Sequence, residues 1–230
     1  MNTRAIAITI AFAAVTVVLN PAFSGVAVPA PFLPYLSYYI WEIPIVAAFF
    51  LIGPKYGFSI VFINTAVLLS VFFRHPFIHP LGSLLSGSSM LIGAYAGYKL
   101  VIRNSPQEKT LLGKKLVLYS TALGILARVV VMTIVNYILL YYAGRLLVGV
   151  ELTVPTILVV YLPLVILFNV TIALYTIPIG CLIARIISKN LGVSRQNLIC
   201  NFIHGGGYAV KNMSLLKSPS VPGPEYFEAG

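Results

Sequence analysis

Charged residues are rare in this sequence. Only 9% of its 230 residues are charged, while 59% are hydrophobic and the mean hydropathy is +0.97. Soluble domains carry about 25% charged residues. The composition therefore excludes an ordinary soluble protein and indicates an integral membrane protein.

Aspartate is absent altogether. All five acidic residues are glutamates, which excludes aspartate-based metal and phosphoryl-transfer chemistry. The two cysteines, Cys181 and Cys200, give no disulfide framework. The glycine triplet at 205–207 lacks the Lys-Ser/Thr context of a phosphate-binding loop. With no nucleotide-binding motif, any active transport by this chain must take its energy from a partner.

Long apolar runs are what the sequence has instead. A membrane-spanning helix needs roughly 20 apolar residues at about 1.5 Å each. Six runs meet this requirement approximately: 5–19, 36–52, 58–73, 81–101, 116–142 and 164–187. No clean cleavage site follows Asn20-Pro21, so we expect the first run to be a retained span rather than a signal peptide. Residues 154–162 are expected to form a short outer helix, with a bend at Pro163.

The basic residues orient these spans. With the N-terminus inside, the outer loops hold only Arg74 and Arg145, and Arg128 falls within the fifth span. The other twelve lie on the inner side: Arg4, Lys55, Lys99, Arg103, Lys109, Lys114, Lys115, Arg185, Lys189, Arg195, Lys211 and Lys217. This is the positive-inside pattern. It accounts for most of the net charge of +10 through topology and anionic lipid, so no nucleic-acid partner is needed.

These features predict an all-α membrane protein of six transmembrane helices in the cell membrane, with both termini cytoplasmic. Residues 1–187 would form the helical domain. Residues 188–230, with the glycine triplet and three prolines, would form a flexible cytoplasmic tail. No internal repeat is visible, which argues against a carrier built from duplicated halves.

An aromatic segment precedes the second span and ends in an acid. Tyr39 and Trp41 suit a membrane interface, but Glu42 is costly there unless it is paired or hydrated. Arg128 lies inside the fifth span, with Asn136 eight residues later on a similar face, and Asn169 lies in the sixth span. Together they predict an outward-facing polar cavity for a planar organic ligand. Alternatively, Arg128 pairs with Glu42 or with backbone carbonyls and only holds the bundle together.

Small residues form a stripe on the first span. Ala7 and Ala11 are four residues apart, with Ala14 three further on. Such spacing permits close helix packing, either within the chain or against another membrane subunit. For the similar run at 93–97, packing within the chain is the favoured interpretation.

The order of several motifs resembles a known family. Glu42-Ile43-Pro44, then Gly53-Pro54-Lys55-Tyr56-Gly57, then the fifth-span segment from Arg128 through Asn136-Tyr137, are similar to the substrate-binding S components of energy-coupling factor (ECF) transporters, above all the riboflavin-specific group. The resemblance covers about residues 5–187. It implies a vitamin-uptake subunit that works with a transmembrane coupling subunit and two cytoplasmic ATPases, with no cofactor of its own.

The resemblance also implies roles for individual residues. Glu42, Asn136 and Asn169 match polar sites of the riboflavin group, and Ala7 and Ala11 match its docking stripe. We expect a flavin ring near Tyr39 and Trp41, with Arg128, Asn136, Tyr137 and Asn169 completing the site. One position departs from the pattern, because Ile172 stands where the riboflavin group has a lysine. A different vitamin therefore stays open as the ligand.

Two further classes of function stay open. An intramembrane enzyme would use one of the serines at 83, 86, 88 and 89, but no histidine lies predictably opposite them. A scaffold without a ligand would need Glu42 only to pair with Arg128. A metal site at His75 and His79 is disfavoured, because Pro76 and Pro80 interrupt the helix. We therefore expect neither a catalytic residue nor a metal site.

Overall fold

The computed structural model describes residues 3–25, 27–71, 79–104, 113–149 and 152–190. Most of these residues are helical. The helices are α1 (Thr3–Leu19), α2 (Pro21–Ser24), α3 (Glu42–Ile52), α4 (Pro54–Val71), α5 (His79–Asn104), α6 (Lys114–Val148), α7 (Val154–Thr156) and α8 (Leu162–Asn190). Two short strands, β1 (Val28–Ala30) and β2 (Leu33–Tyr38), lie between α2 and α3. The proposed tail from 191 onward lies outside the described residues.

Helix α3 is the centre of the bundle. Ten of its eleven residues are buried, and it packs against α1, α4 and α8. A helix that is apolar on every side is stable only when neighbours surround it. Around α3 the other helices form a continuous series, in which α1 packs on α4, α4 on α5, α5 on α6 and α6 on α8.

The outward faces of the bundle are apolar. Leu126 on α6 is 59% exposed and Val159 is 74% exposed. Three helical stretches in the described part of the chain are long and apolar enough to cross a membrane: Pro54–Val71, Lys114–Arg145 and Val154–Asn190. Helices α1 and α3 are apolar but shorter. The chain is a membrane protein, whereas six crossings and cytoplasmic termini stay predictions.

The segment before α3 differs from the sequence prediction. The second span was expected to begin near residue 36, but residues 33–38 form β2, which pairs antiparallel with β1. The register shifts beside Pro29, which has no N–H to donate to the ladder. Helix α3 therefore begins only at Glu42, with Pro44 tolerated in its first turn. The fold is mostly helical, as predicted, with one short hairpin that the prediction did not include.

The last helix is also more continuous than expected. In place of a separate outer helix and a bend, helical structure runs from Val154 to Asn190. A π-helical turn at Ile157–Tyr161 connects α7 to α8, and the N–H of Leu162 bonds to the carbonyl of Ile157. Because Pro163 follows at once and has no N–H to donate, the wide turn lies where the regular bonding pattern is interrupted.

Helices α5 and α6 make the closest approach in the bundle. At Gly97 an added Cβ would lie 2.5 Å from the carbonyl oxygen of Tyr119, and at Gly93 it would overlap the carbonyl of Leu123. Gly93, Ala94 and Gly97 are buried and thus pack within the chain, as the sequence predicts, whereas Ala96 is exposed. Only glycine allows the two backbones to come this close.

This contact can be tested with Gly93→Ala and Gly97→Ala. Each added methyl should force α5 and α6 apart and lower the stability by about 1–3 kcal/mol, seen as a lower melting temperature in detergent. Gly82→Ala is the matched control, because no atom lies within 4 Å of its added Cβ. Equal melting temperatures for all three variants would contradict the close packing.

Candidate functional site

A cavity of about 370 Å³ lies at the end of the bundle that carries the hairpin. This volume is within the range of small-molecule sites, about 300–1,000 Å³. Its walls come from α2, the hairpin and the adjoining ends of α4, α5, α6 and α8. The lining residues are Asn20, Pro21, Ala22, Ala27, Tyr35, Leu36, Ser37, Tyr39, Trp41, Leu68, Gly82, Ser83, Ser86, Met132, Asn136, Leu139, Leu147, Phe168 and Asn169.

An ion pair lies next to this cavity, outside its lining. Arg128 of α6 donates from Nη1 to Oε2 of Glu42, in the first turn of α3, and the two side chains are 0% and 1% exposed. A lone charge at this depth would be very costly, and pairing offsets much of that cost. Arg128 and Glu42 are thus bonded to each other, and the ligand-binding role expected of both residues stays a prediction.

Arg128 also holds neighbouring segments in place. Its Nε donates to Oδ1 of Asn169 at 3.0 Å, and its Nη2 donates to the hydroxyl of Tyr39 at 3.0 Å. Its Nη1 lies 3.5 Å from Sδ of Met90. One guanidinium thus connects α3, α5, α8 and the end of the hairpin to α6, and it orients two residues of the cavity wall.

Four of the predicted site residues line the cavity: Tyr39, Trp41, Asn136 and Asn169. Tyr137 does not. It follows Asn136 by one residue, which turns it about 100° around α6, and its ring stacks on Tyr141 at 6.3 Å between centroids.

The two asparagines keep hydrogen-bonding capacity for a ligand. Nδ2 of Asn136 donates to the carbonyl of Met132 at 2.8 Å, and Nδ2 of Asn169 donates to that of Val165 at 2.9 Å. A primary amide has two N–H donors and an oxygen with two lone pairs. Asn136, which lines the cavity, therefore retains its oxygen and one N–H.

Aromatic rings form the wall on the hairpin side. The rings of Tyr39 and Trp41 lie 5.4 Å apart at an angle of 34°. Tyr175 donates to the backbone carbonyl of Tyr39 at 2.6 Å, which ties this segment to α8. Burial raises the pKa of the Tyr39 hydroxyl, and the nearby Glu42 carboxylate raises it further. Tyr39 therefore stays neutral and keeps its proton for hydrogen bonding.

A second polar group was missed by reasoning from the sequence. Nδ2 of Asn20 donates to Oδ1 of Asn64 at 3.2 Å, and Nδ2 of Asn64 donates to Oγ of Ser83 at 3.2 Å. Asn20 and Ser83 line the cavity, with Asn64 supporting both of them. The signal was a single asparagine in the middle of an apolar span, because such a residue needs a partner.

Ile172 is not part of the cavity lining. It is fully buried in an apolar cluster with Ala30, Leu33, Val165 and Phe168. The position at which the riboflavin group has a lysine thus provides hydrophobic contacts between α8 and the hairpin.

The metal-site and enzyme hypotheses gain no support from the described residues. His75 and the side chain of His79 lie outside them. Within the described part, no group of three or more histidine, cysteine or acidic residues could hold a metal ion. Oγ of Ser86 donates to Oε1 of Glu42 at 3.1 Å, so this serine serves the ion pair.

The small-residue stripe of α1 is on the surface. Ala7, Ala11 and Ala14 are all exposed. Ala11 also lines a shallow apolar groove between α1, α3 and α8. The stripe is thus accessible from outside the bundle.

A comparison with solved structures identifies the fold of this chain. No protein-family model matches the sequence, and a comparison with curated proteins finds no match. A solved structure of "the S component of a bacterial ECF transporter" superimposes with a TM-score of 0.57 at 24% sequence identity. The match covers 83% of this chain and 99% of that one. This chain has the fold of an ECF S component.

The superposition covers most of both chains, so the likeness extends over the overall architecture. At 24% identity, however, the similarity concerns the fold. What the cavity binds has to be argued from its own residues.

The ion pair can be tested by removing one charge. Arg128→Met leaves Glu42 buried and unpaired, which should lower stability by about 3–5 kcal/mol and reduce the melting temperature in detergent. The double variant Glu42→Gln with Arg128→Met should recover much of this loss. Lys189→Met is the control, because Lys189 is exposed on the last turn of α8. If the double variant loses as much stability as Arg128→Met and Glu42→Gln lose when their separate effects are added, the pairing is contradicted.

Proposed function

We propose that this chain is the membrane-embedded substrate-binding subunit of an ATP-driven, ECF-type uptake transporter, and that it binds riboflavin or a related flavin from outside the cell. The observation that carries the proposal is a cavity of about 370 Å³, lined by aromatic rings and amides, within an S-component fold. The role is binding and delivery, without catalysis.

The chemistry of the cavity supports a planar ligand with polar edges. The rings of Tyr39 and Trp41 offer aromatic faces on which a flat ring system can stack. Asn136 offers both a donor and an acceptor, which suits the alternating carbonyl and N–H groups of a flavin edge. Asn20 and Ser83 are further polar residues of the lining, and we expect them to bind a hydroxylated chain of the ligand.

The partners follow from what the chain lacks. It has no nucleotide-binding motif, so ATP hydrolysis has to occur on other subunits. We infer a transmembrane coupling subunit and two cytoplasmic ATPases, with Ala7 and Ala11 at the interface with the coupling subunit. The exposure of both alanines supports this, because a stripe used for packing within the chain would be covered.

The scaffold hypothesis has one observation in its favour. Glu42 and Arg128 are bonded to each other, as a scaffold without a ligand would require. A scaffold does not account for a cavity beside the pair that is lined by aromatic rings and amides. Binding measurements separate the two functions.

Riboflavin binding is tested by fluorescence. Titrating purified protein into riboflavin should quench the flavin emission, because the ring stacks on Tyr39 and Trp41. Asn136→Leu should weaken binding by about 1–3 kcal/mol, since a polar edge of the ligand then lacks its partner. Asn190→Leu, at the exposed end of α8, is the control. Unchanged fluorescence at micromolar protein would contradict the flavin assignment.

Docking is tested separately from binding. Replacing Ala7 and Ala11 together with leucine should abolish vitamin uptake by cells, because the bulky side chains prevent close approach of the coupling subunit. Ligand binding by the purified subunit should be unchanged, since both residues lie outside the cavity. Loss of binding and uptake together would instead assign the stripe to the chain's own packing.

A further inference from the structure

The described lining of the cavity is free of charged side chains. Its polar members are asparagines, serines and tyrosines. Glu42 and Arg128, the buried pair beside the cavity, lie outside this lining. Among the described lining residues, a ligand therefore meets neutral donors and acceptors.

The ion pair has little capacity left for a ligand. Four of the five N–H groups of Arg128 are directed to Asn169, Tyr39, Glu42 and Met90. Both oxygens of Glu42 accept hydrogen bonds, one from Arg128 and one from Ser86. The positive and negative charges thus neutralise each other, and an anion entering the cavity would find the guanidinium already paired.

Helix α8 supplies no cation at residue 172, the position at which the riboflavin group has a lysine. The side chain of Ile172 is apolar, fully buried and not part of the described lining. Moving a charged group from water into a buried site costs several kcal/mol unless an opposite charge compensates it. The described residues supply no such compensation for a phosphate, a carboxylate or an ammonium group.

We propose that this cavity selects an uncharged ligand and rejects the phosphorylated, carboxylated or cationic relatives of the same molecule. The selection rests on the proposed function, since it concerns the ligand of the same site. It extends that function by excluding flavin mononucleotide, whose ring is identical to that of riboflavin. It also applies to ligands other than flavins.

Matched pairs of compounds test the selection on the wild-type protein. Riboflavin is compared with flavin mononucleotide, nicotinamide with nicotinate, and pantothenol with pantothenate, by thermal shift and calorimetry. Bound ligand raises the melting temperature by mass action. Where the uncharged member of a pair binds, the charged member should bind at least about a hundred-fold more weakly.

The outcomes separate this selection from the proposed function. A charged member that binds as tightly as its uncharged partner would overturn the selection, although a vitamin-binding function would survive. Binding of an uncharged compound other than riboflavin would support the selection and remove the flavin assignment. If riboflavin and every other compound fail to bind, both are wrong.

A charge variant gives a second test. Glu42→Gln leaves Arg128 positive and unpaired beside the cavity. The affinity for flavin mononucleotide relative to riboflavin should then rise at least about ten-fold, because the phosphate gains a cationic partner. Met90→Leu is the matched control, since it changes a contact of Arg128 without altering either charge. An unchanged ratio in a folded Glu42→Gln protein would overturn the selection, and if this variant does not fold, the wild-type comparison decides.

Discussion

The buried pair of Glu42 and Arg128 is the interaction on which the site depends. Two opposite charges in an apolar bundle are tolerated only when they are bonded to each other and when neighbours satisfy their remaining hydrogen bonds. Meeting that requirement brings Ser86, Asn169 and Tyr39 to the same point. These residues belong to α5, α8 and the segment after the hairpin, so the pair fixes the relative positions of the elements that enclose the cavity.

The same pair also decides what kind of recognition the cavity can offer. Because the charges neutralise each other, we propose that the ligand is recognised by aromatic faces and amide groups, which suits an uncharged planar molecule. The binding end and the exposed stripe of α1 are separate parts of the surface. An S-component fold with this division can bind a ligand with one part and contact a partner with the other.

Much of this was accessible from the sequence, and the reasons are physical. Charges inside apolar spans are rare and costly, so Glu42 and Arg128 stood out and their pairing could be anticipated. Asn136 and Asn169 stood out for the same reason, whereas Tyr137 was carried along by adjacency to Asn136 although it lies on another face. The hairpin was missed because its aromatic residues resemble the start of an apolar span. The hydrogen bonds joining Asn20, Asn64 and Ser83 were missed because residues far apart in sequence meet only through tertiary packing. Asn20 and Asn64, for example, are 44 residues apart.

The central claim is that an uncharged small molecule occupies the cavity beside the ion pair. Mass spectrometry of the compound released from purified wild-type protein tests it most directly, with Gly82→Trp as a variant that fills the cavity from an open position. The account predicts an uncharged planar compound, such as riboflavin, at about one per wild-type chain and its loss from the folded variant. A charged compound, or the same yield from both proteins, would contradict it.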